Sequence, residues 1–564
     1  MGGIQIVIMN KLLFWTAVIL CVISVHNMFL SRKIDSVRRR ELTIPDRAYW
    51  ILIGIGFAVA IFVRAYRFGM VPGGMNQDGA MAAVDAKALA DYGTDRYGMR
   101  FPVHLTAWKY GQMSCLLSYL MVPFIKLFGF SVTTVRLPQL FISLAGLVCL
   151  FLFVKDVFGK NCALFIGLFA AINPWHIMQS RWALDCNLFP HFLIFGMYFL
   201  NRAAMGKRKT ANLIFSMIAF GLCMYCYGVA LFTVPLLLLA ACIWLLVTKR
   251  IRFREALLAL AVWLLVSWPF LLTMMVNFFH WETIETPFFT IPYFAESIRA
   301  NDIVFFSDHI LKQFFENALT LTRVVVMQEK DLPWNDMEKF GSMYLFSMPF
   351  AVVGFISLCR SLKDKAGAGL ILFFLMAGVW CGVATNQTNI NRVNCIFYPV
   401  IILIGLGIYE AAGWCAIPKL SFGVAAAFLV MFLLFSRNYF TSYADQMTGQ
   451  FNKDFGDAVS SLKDDKQEKF YITTDGFGGL SMNSEILTLF WLGIDAEYYQ
   501  EIRTPEGELP YSQKFIYTRM CDLVPDAAES ALYVVTADEL QYFDSELFAF
   551  EDFGAYYVVT AQEN

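Results

Sequence analysis

Charge is scarce in this chain of 564 residues. Asp, Glu, Lys and Arg supply 16% of it, against about 25% in ordinary globular domains, while apolar residues supply 58%. That balance excludes a water-soluble globular protein, and the mean hydropathy of +0.56 agrees. Histidine is rarer still, at 6 residues, and His104, His176 and His191 form no His-rich ligand set, so a zinc site is not expected. The 13 cysteines lie mostly inside apolar runs (Cys21, Cys149, Cys223, Cys226, Cys242, Cys381), where cysteine behaves as a small core residue. Cys223 and Cys226 have metal or redox spacing but lack a second pair, so no metal centre is indicated. Cys115, Cys186 and Cys521 are candidates for external cysteines, and spacing alone does not pair them.

What the chain does contain is apolar runs near the roughly 20 residues needed to cross a bilayer. They lie at about 11–30, 49–66, 136–154, 161–175, 188–201, 212–226, 229–247, 256–276, 343–359, 368–384, 396–412 and 419–436. A basic cluster follows the first run rather than preceding it, so an extra N-terminal helix is expected there, not a signal peptide. A thirteenth run, 112–128, decides the topology. If it does not cross, the basic loops at 31–47, 155–160, 202–209, 249–254 and 360–365 all fall on one face, which by the positive-inside rule is cytoplasmic. Gly111–Phe128 is therefore read as a juxtamembrane helix. The segments 67–136, 174–187, 277–341 and everything after Arg437 are then external. From Arg437 onward there are 8 Lys and Arg against 23 Asp and Glu, an acidic balance that offers nucleic acid no footing.

Three external stretches carry the candidate chemistry. In 75–110, Asp78, Asp85, Asp91, Asp95, Arg96, Arg100, His104 and Lys109 are packed more densely than a linker requires. Apolar positions from Gly79 to Leu89 recur at helical intervals, predicting a short amphipathic helix on the bilayer surface. Asp78 then stands at its N-terminus, either as a plain N-cap or as a reactive carboxylate held by the free N–H groups. In Asn173–Asp185, Arg181 and Asp185 are four apart and share a helix face, flanked by Trp175 and Trp182. In Ala384–Pro399, Arg392 stands at the mouth of a helix, as a functional cation or an interfacial anchor. Arg136 reads as an interfacial anchor. The loop 277–341, rich in aromatics, either folds over a lipid-linked ligand or forms a packed cap. Beyond Arg437 the helical spacing of Phe451, Phe455, Val459 and Leu462 and the β-rich segments 469–474, 531–535 and 555–559 predict a small α/β domain.

Five features in order resemble the GT-C superfamily of membrane glycosyltransferases, in particular the bacterial relatives of protein O-mannosyltransferases and aminoarabinose transferases. They are the Asp78 loop after the first bundle helix, Asp95-Arg96-Tyr97-Gly98, Leu127–Pro138 (LFGFSVTTVRLP), Ser180-Arg181 with Asp185, and Asn391-Arg392-Val393-Asn394. The resemblance implies a polytopic α-helical membrane protein with the GT-C fold, about 11–12 transmembrane helices plus juxtamembrane helices, and a small C-terminal α/β soluble domain. Its domains would be an extra helix and basic loop at 1–48, the catalytic module at 49–436 and an extracytoplasmic domain at 437–564. It also implies transfer of a sugar from a polyprenyl-phosphate donor to a hydroxyl of a lipid, polysaccharide or protein acceptor. Such an enzyme would work on the outer face of the cell membrane, with inversion.

In that scheme Asp78 is the general base, and Arg181, Arg392 and Lys109 contact the donor phosphate. Asp185, Tyr97 and His104 support the sugar. No cofactor is required, with a divalent metal left open. One departure is Asp78-Gly79, where many members carry Asp-Glu. The alternative is a transporter or flippase of a lipid-linked glycan, a class that carries ionisable residues within its spans. Almost none lie within these runs.

Overall fold

Each of the twelve apolar runs contains an α-helix among the described residues. The computed structural model describes residues 3–34, 36–108, 111–295, 304, 309–386, 388–415 and 420–562. In chain order, α1 (Gly3–Leu30) and α2 (Asp46–Ala65) lead to α3 (Gln77–Asp91), the short strands β1 (Leu105–Ala107) and β2 (Gly111–Met113), and α4 (Leu116–Phe128). Then come α5 (Val132–Phe158), α6 (Lys160–Ala171), α7 (Pro174–Gln179), α8 (Asp185–Ala204), α9 (Lys209–Cys223), α10 (Ala230–Val247) and α11 (Phe253–Phe278). The hairpin β3 (Ile284–Glu285) and β4 (Thr290–Ile291) and the helix α12 (Ile310–Leu321) precede α13 (Met348–Ser361), α14 (Ala366–Ala384), α15 (Ile390–Val393), α16 (Phe397–Trp414) and α17 (Leu420–Tyr439).

Among the described residues, seven helical stretches are long and apolar enough to cross a membrane: α1, α2, α5, α10, α11, α14 and the α15–α16 stretch. A bent pair, α17 followed by α18 (Ser442–Gln450), makes an eighth. The apolar helices α4, α6, α9 and α13 are shorter. At 1.5 Å per residue, the 13 residues of α4 reach about 20 Å, short of a hydrocarbon core of about 30 Å. The chain is a polytopic helical membrane protein with a small sheet domain at its C-terminus.

By contact the chain separates into two units, and neither is contiguous in sequence. The first gathers Met1–Phe68, Gln139–Leu271 and Ile298–Tyr443; the second gathers Gly69–Pro138, Leu272–Ser297 and Ala444–Asn564. In the first unit, α13 and α16 touch backbone to backbone. A Cβ on Gly354 would stand 1.9 Å from the Leu403 carbonyl oxygen, and one on Gly407 would stand 1.8 Å from that of Phe350. Lipid gives apolar helices no hydrophobic drive to associate, so close backbone approach between small residues holds such a pair.

In the second unit, the C-terminal segment adds α19 (Lys453–Ser461), β5 (Lys469–Thr473), α20 (Ser481–Leu492), α21 (Ala496–Tyr499), α22 (Tyr511–Lys514), β6 (Phe515–Thr518), β7 (Ala531–Thr536), β8 (Phe548–Asp552) and β9 (Tyr556–Ala561). The five-stranded sheet runs β6-β5-β7-β9-β8. β5 is parallel to β6 and β7, and β9 is antiparallel to β7 and β8. One face of the sheet buries Tyr471, Tyr533, Val535, Phe543, Phe548 and Val559. The expected strands at 469–474, 531–535 and 555–559 are β5, β7 and β9.

The helix expected to lie on the bilayer surface is a correction. α3 is buried at Gly79 through Ala86 and again at Ala88 and Leu89, Asp85 included. It packs on α4 and α20. Its alanines present little bulk on any side, so a pattern that reads as one apolar face in sequence is covered all round.

Replacing Gly407 by Leu should disrupt the α13–α16 contact. The expected outcome is a loss of about 3 kcal/mol or more, the upper end for overpacking a tight site, read as a lower melting temperature of the purified full-length protein in detergent.

Candidate active site

The loop between α2 and α3 is where the chain prepares Asp78. Within the second unit, the guanidinium of Arg136 has no exposed surface. Its Nη1 donates to the carbonyls of Gly69 (3.3 Å) and Pro72 (2.8 Å), and its Nη2 to that of Gly74 (2.7 Å). Gly74 has φ +89, and a Cβ there would meet the Phe451 carbonyl oxygen at 2.1 Å. The Met75 N–H donates to that same oxygen at 2.5 Å. Asn452 Nδ2 donates to the Met75 carbonyl at 3.2 Å. Arg136 is thus a clamp on this loop rather than a lipid-phosphate anchor, since its donors face backbone oxygens.

The clamped loop ends at Asn76, the N-cap of α3, whose Oδ1 accepts from the Gly79 N–H at 3.2 Å. Capping therefore falls to Asn76. Asp78 sits in the first turn with its side chain exposed. There the helix N-terminus favours its negative charge.

A second buried cation organises the turn that follows α3. Arg96 Nη1 meets Asp85 Oδ2 at 2.5 Å, the Arg96 N–H donates to Asp85 Oδ1 at 3.1 Å, and Nη2 donates to the Thr106 carbonyl at 2.6 Å. Both side chains are 3% exposed or less, so the pair stands only because each partner satisfies the other. Burial opposes the charge on Arg96, but Asp85 outweighs it and holds the guanidinium above its ordinary value. The Arg96 guanidinium lies 4.7 Å from the centre of the Tyr97 ring. Tyr97 faces Tyr499 with ring centres 6.2 Å apart.

Asp95 closes this turn by accepting from the N–H groups of Tyr97 (3.0 Å) and Met99 (2.8 Å) through Oδ1. Burial, then the charge of Asp85, push its carboxyl up to about 7. His104 is buried, its ring edge against Phe294 at 6.2 Å between centres. The hairpin segment of the expected 277–341 loop joins here. The Val103 N–H donates to the Thr290 carbonyl at 2.9 Å, and the Thr290 N–H to that of Phe101 at 3.3 Å. Lys109 lies outside the described residues, as do 296–303 and 305–308.

In the first unit, Arg181 has no exposed surface either. Its Nη1 donates to the carbonyls of Val63 (2.9 Å) and Arg64 (2.7 Å), and its Nη2 to those of Tyr66 (2.7 Å) and Arg67 (3.1 Å). Val63 and Arg64 lie in the last turn of α2, whose carbonyls have no partner inside the helix, and Tyr66 and Arg67 follow just beyond it. Phe440 and Tyr439 cover the guanidinium, with ring centres 4.9 and 5.6 Å away. Asp185 opens α8, half-buried, and its Oδ1 accepts from the Cys186 N–H at 2.7 Å. Arg392 is half-buried in α15, which Asn389 caps at 3.1 Å, and it donates to the Asn386 carbonyl.

Sequence reasoning gave Arg64 no role, yet it heads a buried polar chain. Arg64 Nε donates to His176 Nδ1 at 3.3 Å, and His176 Nε2 meets the Tyr398 hydroxyl at 3.0 Å. That hydroxyl meets His191 Nδ1 at 2.8 Å. An arginine can only donate, so His176 is neutral with its proton on Nε2. Nothing in the local spacing of these residues signals the chain, because its members come from four helices. Among the described residues, no three His, Cys, Asp or Glu side chains gather as a metal set.

The raised Asp95 carboxyl has a testable sign. The folded state keeps a proton that the unfolded chain releases above pH about 4, so this group costs stability progressively as pH rises from about 4 to about 7. Asp95→Asn retains the oxygen that accepts both N–H groups and removes the titration. The variant should melt a few degrees higher than the wild type at pH 8, and the difference should vanish near pH 4.

Comparison with known proteins follows the same line. Residues 113–272 match the family described as dolichyl-phosphate-mannose-protein mannosyltransferase. No curated protein matches the chain in sequence. The fold is similar to that of ArnT from Cupriavidus metallidurans bound to undecaprenyl phosphate, with a TM-score of 0.55 at 12% identity over 90% of this chain and 97% of that one. The apo form of the same protein gives 0.52 at 11% identity, with the same coverage. The chain thus shares the fold of ArnT, and its segment 113–272 carries the match to the mannosyltransferase family.

Proposed function

We propose that this protein transfers a sugar from a polyprenyl-phosphate donor to an acceptor hydroxyl on the outer face of the cell membrane, with Asp78 as general base. The observation that carries this reading is the exposed Asp78 carboxylate at the start of α3, on a loop that Arg136 holds by three carbonyls. The undecaprenyl phosphate in the ArnT structure supports a polyprenyl carrier here.

In the proposed step the acceptor hydroxyl gives its proton to Asp78 as its oxygen bonds to the anomeric carbon. The bond from that carbon to the phosphate oxygen breaks on the opposite side, and the lipid phosphate departs with the electron pair. One displacement inverts the anomeric centre and leaves nothing covalently bound to the enzyme. A carboxylate suffices as base because proton transfer accompanies the displacement. The departing phosphate needs cationic donors, a role we assign to Arg392 and Lys109. Arg181 we assign to holding the end of α2, because its guanidinium donors meet four backbone carbonyls. Asp185, Tyr97 and His104 remain as supporting groups around the sugars.

The test is transfer of radiolabelled sugar from a panel of polyprenyl-phosphate sugars by membranes carrying the wild type or Asp78→Asn. Loss of about 10²–10⁴-fold in kcat, the usual yield of general acid–base catalysis, with the donor KM unchanged, is expected. Undiminished turnover in the variant would remove Asp78 from the role. Arg392→Gln should instead raise the donor KM. A donor KM identical to that of the wild type would take Arg392 off the phosphate.

A further inference from the structure

Within the second unit, the C-terminal segment grips α3 at both ends. At its start, the Phe451 carbonyl accepts from the Met75 N–H at 2.5 Å and Asn452 Nδ2 donates to the Met75 carbonyl at 3.2 Å. Met75 is thus held by both of its backbone groups, one residue before Asn76, the N-cap of α3. A Cβ on Gly74 would stand 2.8 Å from the Lys453 nitrogen, so only glycine allows this approach. At the other end, the hydroxyl of Tyr92, the C-cap of α3, donates to Asp495 Oδ2 at 2.7 Å, and Gln500 Nε2 donates to the Arg96 carbonyl at 3.1 Å. Between the two ends, α20 packs on α3.

Asn452 departs from the habit of its position. It is the N-cap of α19, where an asparagine ordinarily has an extended backbone and accepts from an N–H of the first turn. Here its φ is +49, a left-handed backbone, and its side chain makes no capping bond. The amide is turned to Met75 instead. A helix start forgoes its cap, and a residue takes an uncommon backbone, for one contact with the loop before Asp78. Strain of this kind collects where a functional group has to be held.

The sheet makes the hold firm. Asp454, in the first turn of α19, accepts through Oδ2 from the Ala555 N–H at 3.1 Å, in the connection between β8 and β9. Phe455 packs against Phe477 and Tyr556, with ring centres 5.2 Å away in each case. Asn452 therefore stands at the start of a helix fixed to the sheet, whereas Met75 stands in a loop. Groups on loops are placed less precisely than groups on helices and strands, and misplacing a reacting group by about 1 Å costs about 10²-fold in rate.

We infer that the C-terminal domain is part of the catalytic site, with Asn452 as the positioning residue through which it sets Asp78. The inference rests on the proposed role of Asp78 as base and names a residue that acts through it.

The test compares full-length wild type with Asn452→Gly and Asn452→Asp. Glycine suits φ +49 and aspartate keeps the shape, so both variants should match the wild type in melting temperature and gel-filtration profile. Neither can donate to the Met75 carbonyl. In the transfer assay kcat should fall about tenfold, the order of one lost hydrogen bond, with the donor KM unchanged. In the Asp78→Asn background, Asn452→Gly should cost nothing further, because it acts through that carboxylate. Hydrogen exchange read by mass spectrometry needs no donor, and it should be faster over residues 73–80 of both variants and unchanged in β5 and β7. An unchanged kcat would overturn the inference, as would a loss that adds in full to that of Asp78→Asn, or unchanged exchange over 73–80. Faster exchange there, in a protein that transfers from no donor, would retain the hold of Asn452 on the loop and sink the transferase reading instead.

Discussion

Buried guanidinium groups bonded to backbone carbonyls are the constraint on which the connection from α2 to Asp78 depends. Arg64, Arg136 and Arg181 have no exposed surface, and none of the hydrogen bonds described for them goes to a carboxylate. Arg64 Nη1 holds the carbonyls of Ala60 and Ala171, Arg181 those at the end of α2, and Arg136 those of Gly69, Pro72 and Gly74. Removing a cation from water without compensation costs several kcal/mol, and an unpaired buried carbonyl also carries a cost. Bringing the two together offsets both, because a guanidinium has five donors in one plane and a turning backbone offers several oxygens to one side. Lysine, with a compact ammonium, does not reproduce that geometry.

This arrangement explains which parts of the chain were legible in its sequence. Hydropathy is a local property, and each of the twelve apolar runs contains an α-helix among the described residues. The α/β character of the C-terminal segment was legible in the same way at β5, β7 and β9. Two strands were not: β6 is four residues long, and β8 reads FAFED, whose acidic end looks like a loop. The partners of charged residues were not legible either. Arg96 finds Asp85 across 11 residues, and Arg181 finds α2 across more than 110. A sequence shows that a charge exists near an interface, but a carbonyl partner carries no signature in side-chain letters. Arg136 therefore read as an anchor, and the four carbonyls that Arg181 meets left no trace in its motif.

The same reasoning corrects α3. Its composition is nearly neutral in hydropathy because alanine dominates it, and such a helix can lie at a surface or be enclosed. What decides is whether its one buried charge, Asp85, has a partner. Arg96 supplies that partner from the next turn, so the helix is enclosed and its direction fixed. Asp78 gains from this, since an enclosed helix holds its first turn more firmly than one resting on lipid.

The cations then divide into two kinds, and the division bears on catalysis. Those with no exposed surface define where the backbone runs, and their charges are already met by oxygens of the chain. A departing lipid phosphate develops charge during the reaction and needs donors not yet committed to such oxygens. In this chain the guanidinium of Arg181, the most evident arginine of its motif, already donates to four backbone carbonyls. A motif can thus contain a residue whose side chain holds the backbone, as the four carbonyls around Arg181 show.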